Sequence, residues 1–162
     1  MGIMRWVGGG AAGLGLVGAG YLGAAGQDAT VRDEAGHVVE GGELGAFRVR
    51  LGDCLELGDQ TEVETVQGVP CADPHEAEVY YAFELADGPW PGDDPVLDQA
   101  ERGCFDAFEP FVGLAYVDSV YGYSALSPSR SSWKQLEDRE VLCLIAHYDG
   151  TPKQGSAHHT AR

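Results

Sequence analysis

The stretch VPCADPHEAEVYYAFEL, residues 69–85, contains a cysteine, a proline–histidine pair and the clearest strand pattern of the chain. Apolar and acidic side chains alternate here with the two-residue period of a strand that has one buried face. The predicted buried set is Ala77, Val79, Tyr81, Phe83 and Leu85, and the predicted solvated set is Glu76, Glu78 and Glu84. Ahead of the strand, Cys71 and His75 allow a metal site, a Cys–His catalytic pair or a disulfide-fixed turn. The compartment decides between these, because a thiol persists in a reducing compartment and pairs in an oxidising one.

Two further strands are predicted before this one. FRVRLGDCLEL, residues 47–57, alternates apolar side chains with arginines, and TEVETVQGV, residues 61–69, alternates valines with glutamates. Gly58 and Asp59 mark a turn between them. Three neighbouring antiparallel strands are the expected result.

A helix and two more strands are predicted after it. Asp94 and Pro95 form a suitable N-cap and first-turn pair. Leu97, Cys104 and Phe108 then recur at helical spacing up to Pro110, which is expected to end the helix. Segments 115–126 and 139–148 predict strands, the second of them apolar on both faces. The predicted fold is therefore α+β, a small mainly antiparallel sheet with one main helix packed on a face.

The first 26 residues differ from the rest of the chain. Residues 6–26 carry no charge, and as a helix this run would span roughly 30 Å, the hydrocarbon thickness of a bilayer. Arg5 precedes it and acidic residues follow, so the positive-inside rule predicts a single-pass membrane protein with its domain outside the cytoplasm. The small residues GAAGQ at the end of this run, residues 23–27, also fit a signal-peptidase site, which would make the segment a cleaved signal and the protein a secreted one. The predicted order is an anchor or signal at 1–26, a flexible acidic linker at 27–46, a domain at 47–149 and a disordered tail at 150–162.

The charge of the chain excludes one class of partner. The formal net charge is −16, and all 26 acidic residues lie after residue 26. Such a domain repels nucleic acid and anionic lipid. A protein partner is expected instead.

Four cysteines lie in the predicted external part: Cys54, Cys71, Cys104 and Cys143. Their even number predicts two disulfides. The spacing favours one bridge across the ends of a hairpin, from Cys54 to Cys71, and one from the helix to the last strand; the other pairings stay open. A zinc site or a redox site would need a CxxC pair, which the sequence lacks, so no metal or cofactor is expected.

Several motifs in order resemble the septum formation domain family of actinobacteria. They are GDC at 52–54, VPCADPHEAEV at 69–79, CFDAFEPFVG at 104–113, SPSRSSW at 127–133 and DREVLC at 138–143. The resemblance covers roughly residues 47–148. It implies an extracytoplasmic domain behind a membrane segment, associated with the division septum, and it supplies no catalytic residues. This chain has Glu137 where the GDR of the family would more usually place glycine.

No catalytic motif in the chain is complete. Ser131 and Lys134 fit the SxxK nucleophile motif, but its SDN and KTG partners are missing. We therefore predict a non-enzymatic, membrane-tethered domain that binds an envelope or division protein, with Trp90 in the rigid GPWPGDDP loop as the main contact and His75 as a second. The alternative is a small extracytoplasmic hydrolase or thiol enzyme that uses Cys71 and His75. The sequence indicates no oligomeric state.

Overall fold

The computed structural model describes residues 4–5, 27–58 and 64–162. Within these residues the strands are β1 (Met4–Arg5), β2 (Val31–Arg32), β3 (Val38–Glu40), β4 (Gly42–Gly45), β5 (Cys54–Glu56), β6 (Thr65–Val69), β7 (Ala77–Glu84), β8 (Tyr121–Ser127) and β9 (Glu140–His147). The helices are α1 (Asp93–Val112) and α2 (Arg130–Gln135), with short 3-10 turns at Ala46–Arg48 and Tyr116–Asp118.

One mixed sheet of seven strands forms the body, in the order β1-β8-β9-β7-β5-β6-β4, and β2 and β3 form a separate pair. All pairings in the sheet are antiparallel except that of β1 with β8. Helix α1 packs against β7, β8 and β9. The predicted α+β class, with an antiparallel sheet, one main helix and two disulfides, is confirmed.

Helix α1 buries one stripe of side chains against the sheet. The buried positions recur every four residues, which places them on one face: Val96, Ala100, Cys104, Phe108 and Val112. Pro110 does not end the helix as predicted, but lies in its last turn, where it removes one backbone hydrogen bond. The helix ends instead at Gly113, whose φ of 80° is the left-handed cap conformation and whose N–H donates to the carbonyl of Glu109.

Strand β7 contains a bulge that the sequence pattern does not reveal. One extra residue, Tyr80, is inserted after Val79 opposite β9. Since side chains alternate with a period of two, the insertion moves all later residues to the other face. Ala77 and Val79 belong to one buried cluster, whereas Phe83 and Leu85 pack with the cluster under α1. The single apolar face predicted for this strand is therefore wrong.

The segments predicted as linker and tail belong to the folded body. In the predicted linker, residues 27–46, β4 pairs with β6 and Leu44 is fully buried. Arg32 donates to both carboxylate oxygens of Asp53, at 2.6 and 3.0 Å, which fastens residues 27–46 to the domain. In the predicted tail, residues 150–162, Lys153 and Ala157 are buried. The structure thus differs from the predicted boundaries, because tertiary contacts, and not local composition, order both segments.

The predicted anchor or signal lies outside the described residues, apart from β1. None of the helices in the described ranges combines the length and the apolar character needed to cross a membrane.

Candidate functional site

The four cysteines form two disulfides, Cys54–Cys71 and Cys104–Cys143. The pairing favoured by the spacing is the one in the structure. The first bridge joins β5 to the turn before β7, and the second joins the buried face of α1 to β9. Cys71 therefore carries no thiol that His75 could activate, and the structure contradicts a Cys71–His75 catalytic pair.

His75 is buried, with 1% of its surface exposed, and so it offers no contact to a partner. It was predicted to be a second contact for the partner, but the backbone of residue 153 covers it. The His75 N–H donates to the Lys153 carbonyl at 2.9 Å, and the Lys153 N–H donates to the His75 carbonyl at 2.8 Å. Nδ1 of His75 lies 2.8 Å from the carbonyl of Asp73, and Nε2 has no hydrogen-bond partner among the described residues. Burial lowers the pKa of this imidazole.

Glu78, predicted to be solvated, is the centre of a buried ionic cluster. Its carboxylate accepts hydrogen bonds from Lys153 Nζ at 2.6 Å, from the Ala157 N–H at 2.8 Å and from Ser156 Oγ at 2.5 Å. The Glu78 and Lys153 side chains are 5% and 3% exposed. Burial lowers the pKa of Lys153, while the hydrogen bond to Glu78 opposes that shift. We call Glu78, Lys153, Ser156 and Ala157 the C-terminal clamp, because they fasten the end of the chain to β7.

The predicted contact Trp90 lies half-buried beside helix α2. The helix begins with a capping box, in which the Ser129 side chain accepts from the Ser132 N–H and the Ser132 side chain accepts from the Ser129 N–H. One turn later, Trp133 is buried and its indole N–H donates to the Gly88 carbonyl at 2.9 Å. The Trp90 ring meets the Trp133 ring edge-on, with centroids 5.4 Å apart. The loop that carries Trp90 is thereby fixed to α2.

An open cavity of about 420 Å³ lies at this junction, and we call it the Trp90 pocket. Its lining consists of Gly88, Pro89, Trp90, Arg130, Trp133, Lys134, Glu137 and Arg139. Arg139 is held in place, since its guanidinium lies 3.8 Å from the centre of the Trp133 ring and donates to Asp87 at 2.9 Å. Arg130 and Lys134 are exposed, and no ion pair within the described ranges involves either of them.

The cations of the Trp90 pocket were not assigned to a binding site from the sequence. Arg130 and Lys134 lie four residues apart in SRSSWKQLEDR, a spacing that puts them on one side of a helix. That signal is weak by itself, because the pocket also needs the Gly88–Trp90 loop, which comes some 40 residues earlier in the chain.

A larger cavity of about 700 Å³ lies at the end of α1. It is lined mainly by Phe105, Pro110, Tyr116 and Val117, with the carboxylates of Asp106 and Glu109. Because the chain has 26 acidic residues, two carboxylates in the lining do not distinguish this cavity from other parts of the surface. The Trp90 pocket is more informative, because it gathers three of the ten basic residues of the chain.

Ser131 of the incomplete SxxK motif and the two glutamates at the start of β7 have structural roles. The Ser131 hydroxyl lies 3.0 Å from that of Ser129 at the start of α2, so it belongs to the cap. Glu76 accepts from the Leu57 N–H at 2.7 Å, whereas Glu78 is part of the C-terminal clamp. In the described part of the chain, no three His, Cys, Asp or Glu side chains are grouped so that they could hold a metal ion.

Comparison with known proteins gave one match. A family model described as septum formation matches residues 51–162. This range contains all four cysteines, the Trp90 pocket and the C-terminal clamp. No curated protein and no solved structure matches the chain.

Proposed function

The chain belongs to the septum formation family, and from this membership we propose that it is a division protein that binds a partner in the cell envelope through the Trp90 pocket. The family supports a division-related role. It is not a known enzyme family. Binding is the activity we propose, because no catalytic motif in the sequence is complete.

The domain works outside the cytoplasm in this proposal, tethered by the uncharged N-terminal segment. The observation in favour is the pair of disulfides, because cystines persist in oxidising compartments and are rare in the cytosol. The uncharged run at 6–26 supports a tether, since its length matches a bilayer.

The observation that carries the binding proposal is the arrangement around Trp90. Tryptophan and arginine are the residues most enriched at the energetic centres of protein interfaces. Here the Trp90 ring packs edge-on against Trp133, and beside it lie Arg130 and Lys134, which form no ion pair with any residue in the described part of the chain. A fixed aromatic loses little entropy on binding, so the pocket is suited to hold a protein segment.

Site-specific cross-linking in the native host tests the binding proposal. A photo-reactive amino acid is placed at Glu137, an exposed lining residue whose replacement keeps the cations of the pocket, and a control is placed at Val39, which is 49% exposed on β3. We expect a discrete adduct with an envelope or division protein from position 137 that is absent from position 39. Equal adducts from both positions, or none from position 137, would contradict the proposal.

The location is tested separately on the same material. We expect mass mapping under non-reducing conditions to recover Cys54–Cys71 and Cys104–Cys143 from cells. Free thiols at these four positions would argue for a cytosolic domain.

A further inference from the structure

We propose that the Trp90 pocket recognises the carboxylates of a short acidic segment in the partner protein. This inference rests on the proposed function and adds the chemistry of the partner to it. The occupant is a peptide segment that alternates glutamate or aspartate with apolar side chains, and the argument is charge complementarity.

The distribution of charge is the first observation. The chain has 26 acidic residues and 10 basic ones, yet the lining of this pocket has three cations and a single acid, Glu137. Arg139 is already occupied by Asp87 and by the Trp133 ring. Arg130 and Lys134 are left to meet a ligand.

The spacing of these two cations is the second observation. Arg130 and Lys134 are four residues apart on α2, so their side chains are neighbours of like charge. Like charges at this spacing repel each other in the free protein. An anion bound between them relieves that repulsion, which adds to the direct attraction.

The rest of the surface selects a short anionic ligand. Because the chain has 25 acidic and 7 basic residues outside this lining (26 − 1 and 10 − 3), a long polyanion that entered the pocket would also be repelled by carboxylates beyond it. A few carboxylates on a short segment gain the local attraction and avoid that repulsion. The wall formed by Pro89 and Trp90 supplies apolar contact for the side chains between them.

Peptide binding to the full chain in detergent micelles tests the inference. The probe is a fluorescein-labelled twelve-residue peptide that alternates glutamate and leucine, and its matched control has glutamine in place of every glutamate. We expect fluorescence anisotropy to show affinity for the glutamate peptide about tenfold higher than for the control, falling as salt is raised.

Two double variants that remove the same charge test whether the peptide binds in the Trp90 pocket. The double substitution Arg130→Gln with Lys134→Gln is expected to weaken binding roughly tenfold, since it removes two charge-assisted contacts. The control is Arg50→Gln with Arg102→Gln, which removes the same charge from exposed positions outside the pocket, and is expected to leave the affinity within about twofold.

Three results would overturn the inference: equal affinity for the two peptides, equal loss in both double variants, or binding of a phosphate-bearing glycan through Arg130 and Lys134 in place of the peptide. The cross-link at position 137 separates these results from a failure of the proposed function. A specific adduct without peptide selectivity leaves the binding function standing, whereas the absence of an adduct removes both.

Discussion

Replacing Lys153 with methionine tests the role assigned to the C-terminal clamp. Methionine keeps most of the side-chain volume and removes the ammonium group. Glu78, 4% exposed, is then left as a buried carboxylate with no cation. Breaking a buried ion pair from one side costs about 3–5 kcal/mol. Because the Ala157 N–H and the Ser156 hydroxyl still donate to Glu78, we expect the lower end, about 3 kcal/mol of unfolding free energy.

Urea unfolding of the full chain, followed by circular dichroism with both disulfides intact, measures this loss. Lys134→Met is the matched control, since it makes the same chemical change at an exposed lysine, and we expect a shift within about 0.5 kcal/mol. Hydrogen exchange should also show loss of protection at the Lys153 and Ala157 amides, which bond to His75 and Glu78.

A double variant separates the cost of the orphaned charge from the loss of packing. Glu78→Gln with Lys153→Met removes both charges, and it should recover a large part of the stability lost in Lys153→Met alone, because no buried charge then lacks a partner. The reasoning is refuted if Lys153→Met costs less than about 1 kcal/mol, or if the double variant is less stable than the single one.

Three further outcomes follow from the structure. Glu137 has a φ of 54°, a backbone conformation that favours glycine. Glu137→Gly should therefore raise the unfolding free energy by about 0.5 kcal/mol, as measured by thermal unfolding. A loss of stability in this variant would contradict the explanation. Burial lowers the pKa of His75 in the folded state, so the unfolded state binds the proton more tightly. The unfolding free energy of the native chain relative to that of His75→Asn should therefore be constant above about pH 7 and fall as the pH drops from there towards 5. Parallel pH profiles for the two proteins would rule this out. Replacing both cysteines of Cys104–Cys143 with serine should lower the unfolding free energy by about 4 kcal/mol, and the same change at Cys54–Cys71 should lower it by about 3 kcal/mol. The reason is that Cys104–Cys143 closes a loop of 39 residues, whereas Cys54–Cys71 closes one of 17. A lower urea midpoint for the Cys54–Cys71 variant than for the Cys104–Cys143 variant would contradict the chain-entropy explanation.

The elements with strong local patterns were predictable from the sequence. The helical spacing of Leu97, Cys104 and Phe108 predicted α1, and Cys104 and Phe108 do lie on its buried face. Leu97 is only half-buried, and Val96 is the buried residue in that turn. The cysteine spacing favoured the two bridges that form, although it left the other pairings open. Membership of the septum formation family was also recognised from motifs on these elements.

The predictions that were wrong concern features that depend on contacts between residues distant in sequence. A bulge at Tyr80 is decided by how β7 fits β9, and nothing in the local alternation marks it. Glu78 is a typical solvated strand residue by pattern, and its burial depends on Lys153, 75 residues later. The polar composition of residues 150–162 concealed a backbone pairing with His75 for the same reason.

Of the residues around the candidate site, the sequence singled out Trp90 as a partner contact, which stays a prediction. Trp90 was named from its loop, and its ring does lie in a pocket. The cations could not be assigned to that pocket from the sequence, since they reach it only when the Trp133 indole bonds to Gly88. His75 was expected beside the partner and is instead covered by the chain itself.

The distance in sequence between the two charges of the clamp affects the order in which the domain folds. Glu78 and Lys153 are 75 residues apart, so Glu78 has no cation to accompany it into the interior until that long loop closes. Contacts of such high sequence separation form slowly, because the entropy of loop closure is lost before the contact is gained. Strand β7, at the centre of the sheet, therefore takes its final environment only after the segment around Lys153 has docked.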